Sequence, residues 1–220
     1  MKRISLPLLF ALALPCAPAL ASDDISKVNG SITAEAGQRY GDLDTVNGSI
    51  KVADGAVTGS IETVNGGITL AERVRAEGIS TVNGSVRIGR DAVIDGNVET
   101  VNGSIFADRG TQIEGNLETV NGSIGLVETR LRNAIETVNG DITVGVGSQV
   151  QGGIMVRKAN FSLSLTPGRK PRVIIGPNAV VHGPLQFERE VTLYVHRSAQ
   201  IGPVSGAKAL PFDTDSAPQD

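Results

Sequence analysis

The sequence predicts an all-β chain, a single-stranded parallel β-solenoid (β-helix) with coils of 18–19 residues, and three observations carry that prediction. The core Val-Asn-Gly occurs seven times, with asparagines at Asn29, Asn47, Asn65, Asn83, Asn102, Asn121 and Asn139, spaced 18, 18, 18, 19, 19 and 18 residues apart. A fixed short period is the mark of stacked units that each contact only their neighbours. Around each core, aliphatic residues recur two apart, the period of a strand, and glycine recurs too often for a helix. Aromatic residues make up 3% of the chain and Trp is absent, which suits a narrow aliphatic core. The competing architecture is an antiparallel meander, because Asn-Gly is also a hairpin signal. Unequal segment lengths and the near-identity of the copies favour the solenoid, where each residue stacks on its equivalent about 4.8 Å away.

From the N-terminus, Met1–Ala21 reads as a signal peptide: Lys2 and Arg3, an apolar run from Ile4 to Leu14, then Ala19-Leu20-Ala21. The apolar run is shorter than the roughly 20 residues a membrane-spanning helix needs, and no later stretch matches it, so no transmembrane segment is expected in the mature chain. Export to the periplasm or cell surface follows. Cys16, the one cysteine, falls within this peptide, and Pro15 before it argues against a lipid-attachment site. A mature chain without thiols has no disulfide framework.

Residues 22–206 are expected to form the solenoid, with regular coils over 25–153, divergent coils over 154–206, and a disordered tail over 207–220. Within a unit such as Ile61–Leu70, alternation places Val64, Ile68 and Leu70 on one face. By that reading Val46, Val64, Val82, Val101, Val120 and Val138 line the core, and Val101→Asp unfolds the middle coils. Ile61, at an odd offset from Val64, then requires a bend between them. Further corners are expected at variable stretches such as Asp95-Gly96-Asn97, and at Asn-Gly, which adopts positive φ at low cost. The seven asparagines, stacked in register, are positioned to pass amide hydrogen bonds from coil to coil. After Gly152 the motif gives way to Val156–Asn160, a strand-like Phe161–Leu165 and a Pro- and Gly-bearing turn over 166–171.

The pattern Ile-Gly-x-x-Ala-x-aliphatic-x-Gly, at Ile88–Gly96 and Ile175–Gly183, resembles the coils of bactofilins, polymer-forming bacterial β-helix proteins. The Val-Asn-Gly-Ser-Ile repeats are similar to the adhesin repeat domains of exported bacterial proteins. Together the resemblances cover roughly residues 25–206. They imply a β-solenoid and a structural, adhesive or polymer-forming role, although an export signal departs from cytoplasmic bactofilins.

Acidic residues precede the motif threonine at Asp44, Glu62, Glu99, Glu118 and Glu136, so a stacked column of like charge is expected, either fanned into water or relieved by a divalent cation. Thr45, Thr63, Thr81, Thr100, Thr119 and Thr137 form a second column: an outward array would resemble an ice-binding surface, whereas β-branched Thr at a strand end has an ordinary structural role. His182 and His196 fall in no metal-ligand spacing, no catalytic constellation is present, and no cofactor is implied. Charge divides along the chain. Ser22–Asp141 holds 18 acidic and 10 basic residues, a net charge of −8, whereas Ile142–Phe187 has no acid and carries Arg157, Lys158, Arg169, Lys170 and Arg172. That basic segment is the candidate contact for an anionic envelope glycan, a lipid surface or the acidic column of another copy. Nucleic acid is not an expected partner. The functional expectation is a non-enzymatic, exported component of the bacterial envelope that is structural, adhesive or self-associating. The alternatives are a binding module for divalent cations or anionic glycans, and a carbohydrate-active enzyme on a β-helix.

Overall fold

The computed structural model describes residues 23–158, 170–214 and 216–217. The signal-peptide reading of 1–21, the strand-like 161–165, most of the 166–171 turn with Arg169, and residues 215 and 218–220 lie outside the described residues. Among those described, 26 strands occur and no helix, and each strand pairs parallel to its neighbours.

One coil shows how the sequence folds. Val98–Asn102 forms the first side, Gly103-Ser104 turns the chain, and Ile105–Ala107 forms the second side. A turn then leads to Gln112–Ile113 on the third side, and Glu114–Asn116 brings the chain to Leu117–Asn121, directly above where it began. Pairing is strictly like on like: Val98 meets Leu117, Thr100 meets Thr119 and Asn102 meets Asn121. Second-side strands make a ten-stranded sheet, hence ten coils and a rod of about 43 Å at the usual strand spacing. First and third sides merge into one 16-stranded sheet because Val57–Asn65 and Arg75–Asn83 run through the corner between them as nine-residue strands. The period varies from 16 to 20 residues in the last coils and has one large break. Across the interval from Ile154–Val156 to Arg172–Ile175 the offset lengthens, so that Ile142 pairs with Val173, 31 residues on, instead of a partner 18 or 19 away.

The interior is a set of columns. Leu43, Ile61, Val98, Leu117 and Ile135 come from the first side, Ile50, Ile68, Ile105 and Ile124 from the second, and Ile94, Ile113 and Leu131 from the third, each at most 1% exposed. Full burial of such side chains stabilises by about 1.5–3 kcal/mol apiece, and stacked parallel strands leave each layer dependent on both neighbours. Aromatic residues sit mainly toward the ends. The Tyr40 hydroxyl accepts from the Glu35 amide (2.9 Å) near the first coil, and Phe212 packs edge-on to His196 at the last, with ring centroids 5.1 Å apart.

The valine column faces outward, contrary to the alternation expected through Asn-Gly. Val46, Val64, Val82, Val101 and Val120 are 38–41% exposed, Val138 is half-buried, and the neighbouring threonines Thr45, Thr63, Thr81, Thr100, Thr119 and Thr137 are buried in their place. Ile61 and Thr63 are two apart within one uninterrupted strand, so both point inward and no bend lies between Ile61 and Val64. The corner at Asn-Gly resets the alternation, which is why Ile68 and Leu70 face the core although Val64 does not. A hydroxyl is accepted inside because it has a partner: Thr63 Oγ1 donates to the Gly48 carbonyl one coil earlier at 3.0 Å, and Thr45, Thr81, Thr100 and Thr119 repeat the bond to Gly30, Gly66, Gly84 and Gly103.

Those same corners explain the glycine. A Cβ at Gly66 would lie 1.9 Å from the Gly48 carbonyl oxygen, and one at Gly103 would lie 1.9 Å from that of Gly84. Close approach of stacked backbones demands glycine here; positive φ occurs in this column only at Gly30 and Gly122. The tail also differs from expectation, since Ala209–Phe212 is a strand paired with Thr192–His196, and the solenoid therefore runs past residue 206. Burial of Phe212 at 5% exposure gives that last strand an anchor.

Candidate interaction face

The first side presents its outward residues in three parallel columns: acids, valines and asparagines. Strand alternation in Leu117–Asn121 places Leu117 and Thr119 inward and Glu118 and Val120 outward, and Asn121 projects from the corner. In-register stacking then multiplies each position. Asp44 pairs with Glu62, Glu99 with Glu118 and Glu118 with Glu136, with Ser80 interrupting the column between Glu62 and Glu99.

Three stacked carboxylates need local support. Asn97 Nδ2 donates to Glu99 Oε1 at 3.0 Å, Asn116 Nδ2 donates to Glu118 Oε1 at 3.2 Å, and Arg157 closes the column with an ion pair to Glu136 at 2.5 Å. Glu118, in the middle, has its carboxyl pushed above the usual range, first by partial burial and then by Glu136 and Glu99 on either side, while Asn116 and Arg157 act against the shift. Glu99, Glu118, Glu136, Val82, Val101 and Arg157 line an open groove of about 370 Å³. A similar groove continues toward the first coil past Asp44, Val46, Glu62 and Val64.

The asparagine column is a continuous ladder. Each of Asn47, Asn65, Asn83, Asn102, Asn121 and Asn139 donates Nδ2 to the Oδ1 of the asparagine one coil earlier at 3.0 Å. At its C-terminal end Arg189 takes the place of the next asparagine, donating to Asn139 Oδ1 and to the Val138 carbonyl. The ladder is the expected amide relay. Its direction is set at the end, because reversing every amide would keep the ladder but turn an NH2 of Asn139 toward the Arg189 guanidinium.

The threonine column points into the core, so the ordinary structural reading of Thr holds and these threonines form no outward hydroxyl array. His196 shares a hydrogen bond with Ser198 Oγ (2.8 Å) and contacts Phe212, while His182 is exposed in another coil. Among the described residues no group of His, Cys, Asp or Glu is placed to hold a metal ion, and no helix is long and apolar enough to cross a membrane.

The basic segment is brought beside acids that lie outside it in sequence. Arg157 pairs with Glu136, the Lys158 amide donates to Glu188 Oε2 (3.0 Å), and Lys170 Nζ pairs with Glu190 at 2.7 Å, which holds the Glu190 carboxyl below its ordinary range. The Arg172 amide donates to Asp141 Oδ1, and its guanidinium lies over the Tyr194 ring. Arg157, Lys158, Lys170 and Arg172, contiguous in charge along the chain, are therefore brought in space against Glu136, Glu188, Glu190 and Asp141. Sequence reasoning missed the outward valine stripe, whose one signal was the two-residue spacing from Ile61 to Thr63. Comparison with family models, curated proteins and solved structures finds no match to this chain.

Proposed function

We propose that the chain is a non-enzymatic, exported β-solenoid serving as a structural, adhesive or self-associating component of the bacterial cell envelope. The observation that carries this reading is the repetition of the exterior. Valine and asparagine recur in seven successive coils, with an acid beside them in five, which suits contact along a length. The similarity of the Val-Asn-Gly-Ser-Ile repeats to exported adhesin repeats, and of Ile88–Gly96 to polymer-forming bactofilin coils, supports the same direction. Contacts spread over many equivalent units add small increments into a large total, so a rod of this kind gains affinity with length.

Electron microscopy of the purified protein, with fractionation of the producing cells, tests the proposal. Filaments or fixed oligomers together with recovery from the envelope fraction are expected. Isolated short rods recovered with the cytoplasm would overturn it.

A further inference from the structure

Among the described residues, the large hydrophobic side chains left exposed are concentrated in one line. Val28, Val46, Val64, Val82, Val101 and Val120 account for six of the eight, and all six belong to the outward column of the first side. Scattered exposed apolar residues are ordinary, but a contiguous stripe rimmed by polar groups marks a contact surface. The grooves along this stripe are open, and their walls are the acidic column and the valines themselves.

We propose that this stripe is the seam of a side-by-side homodimer in which two rods lie parallel, related by a two-fold axis along their length. The inference rests on the self-associating reading above and specifies its surface and geometry. Commensurability identifies the occupant. The stripe offers one valine per coil, about 4.8 Å apart. An α-helix laid along it repeats every 5.4 Å, and an extended peptide presents same-face side chains about every 6.8 Å, so both fall out of step within a few coils. A second copy of this solenoid has the same spacing by identity, and its valines stay in register over the whole column.

Polarity follows from the flanking columns. Across the face, acids lie on one side of the valines and the asparagine ladder on the other. Two faces brought together valine on valine with the rods antiparallel place the acids of Glu99, Glu118 and Glu136 against the same column of the second copy, where like charges repel. With the rods parallel, each acidic column lies over the other copy's asparagine ladder. Each asparagine from Asn47 to Asn139 donates one of its two amide hydrogens to its neighbour, which leaves the second hydrogen for a carboxylate across the seam. Parallel pairing thus satisfies the apolar stripe and the charged one together.

The test is single-thiol cross-linking in the full chain carrying Cys16→Ser, which removes its one native cysteine. Val46→Cys, Val82→Cys and Val120→Cys are each oxidised alone and in pairwise mixtures, with the exposed second-side position Lys51→Cys as a control. A parallel two-fold sets equal residue numbers opposite one another, so all three valine variants should form disulfide-linked homodimers and Lys51→Cys should not. Cross-linking of Val82→Cys alone, with Val46→Cys joining only to Val120→Cys, would show antiparallel rods and overturn the proposal. Absence of cross-links above the control while rods still assemble would also overturn it, leaving the structural role in place through another surface; absence of any assembly would remove both. As a second measurement, the double variant Val101→Asp, Val120→Asp should weaken dimerisation in sedimentation on the order of a hundredfold by adding like charge beside the acidic columns of both copies, while circular dichroism stays that of the parent. A dimer of unchanged strength would reject the seam.

Discussion

Replacing two adjacent residues by the same charged group measures which way the first side faces. Thr100 is 4% exposed and its Oγ1 donates to the Gly84 carbonyl at 3.0 Å, whereas Val101, its neighbour, is 40% exposed. Thr100→Asp puts an uncompensated carboxylate between the inner columns at a cost of about 3–5 kcal/mol, with loss of the hydrogen bond adding about 1 kcal/mol. For a chain of this size each kcal/mol moves the midpoint by about 2–4 °C, so Tm should fall by roughly 8–24 °C. Val101→Asp removes a side chain that is only partly withdrawn from water and adds a charge near Glu99, which together cost about 1–2 kcal/mol. Its expected fall is about 2–8 °C. Thr100→Val, which keeps the shape and removes only the hydroxyl, should cost about 0.5–1.5 kcal/mol. Thermal melts followed by circular dichroism, at matched pH and salt and at a concentration low enough to keep the parent monomeric, give the comparison. Equal losses for the two aspartate variants, or a larger loss at Val101, would refute the assignment of Thr inward and Val outward.

Three further outcomes are expected. Gly103→Ala should destabilise by about 1–3 kcal/mol in chemical denaturation, since its Cβ would stand 1.9 Å from the Gly84 carbonyl oxygen and the coils must part to admit it. Asn102→Ala interrupts the amide ladder on both sides and should cost about 1–2 kcal/mol, against roughly half that for Asn29→Ala, which removes a single acceptor; paired melts read the ratio. Glu118→Gln should raise Tm at neutral pH by about 1 °C and lose that advantage in acid. Its folded carboxyl binds a proton more tightly than the unfolded one, so the group favours folding only below its unfolded pKa and this contribution is lost as pH rises through the raised folded value. A melt series from pH 3 to pH 8 checks the sign.

The coil period, the parallel stacking and the asparagine ladder were legible because each is a property of repetition. Residues at equal phase in an 18–19-residue repeat must stack if the units stack at all, and Asn47 above Asn29 then has one sensible hydrogen bond to make. The orientation of the Thr-Val pair was less accessible. Both residues are β-branched strand formers, and propensity does not distinguish them. The decision rests on the phase across Asn-Gly: alternation carried through the corner from Ile68 puts Val64 inside, whereas alternation from Ile61 puts Thr63 inside, and the structure follows the second. The last strand, Ala209–Phe212, was hidden by a proline and by neighbouring small and acidic residues that read as a tail.

By itself the sequence determined the period, the identity of the stacked columns and the aliphatic character of a narrow core, because these depend on which residues recur and at what interval. Only the tertiary structure decided which columns face water and which charges are neighbours. A corner shifts the inside-outside phase by an amount that side-chain chemistry does not encode, and hydrogen bonds between coils, such as Thr100 to Gly84, settle whether a hydroxyl or a methyl group is better inside. Charge follows the same logic: stacking brings together residues one or more coils apart in the chain, so that Arg157 meets Glu136 and Lys170 meets Glu190, acids that lie outside the basic run of the sequence.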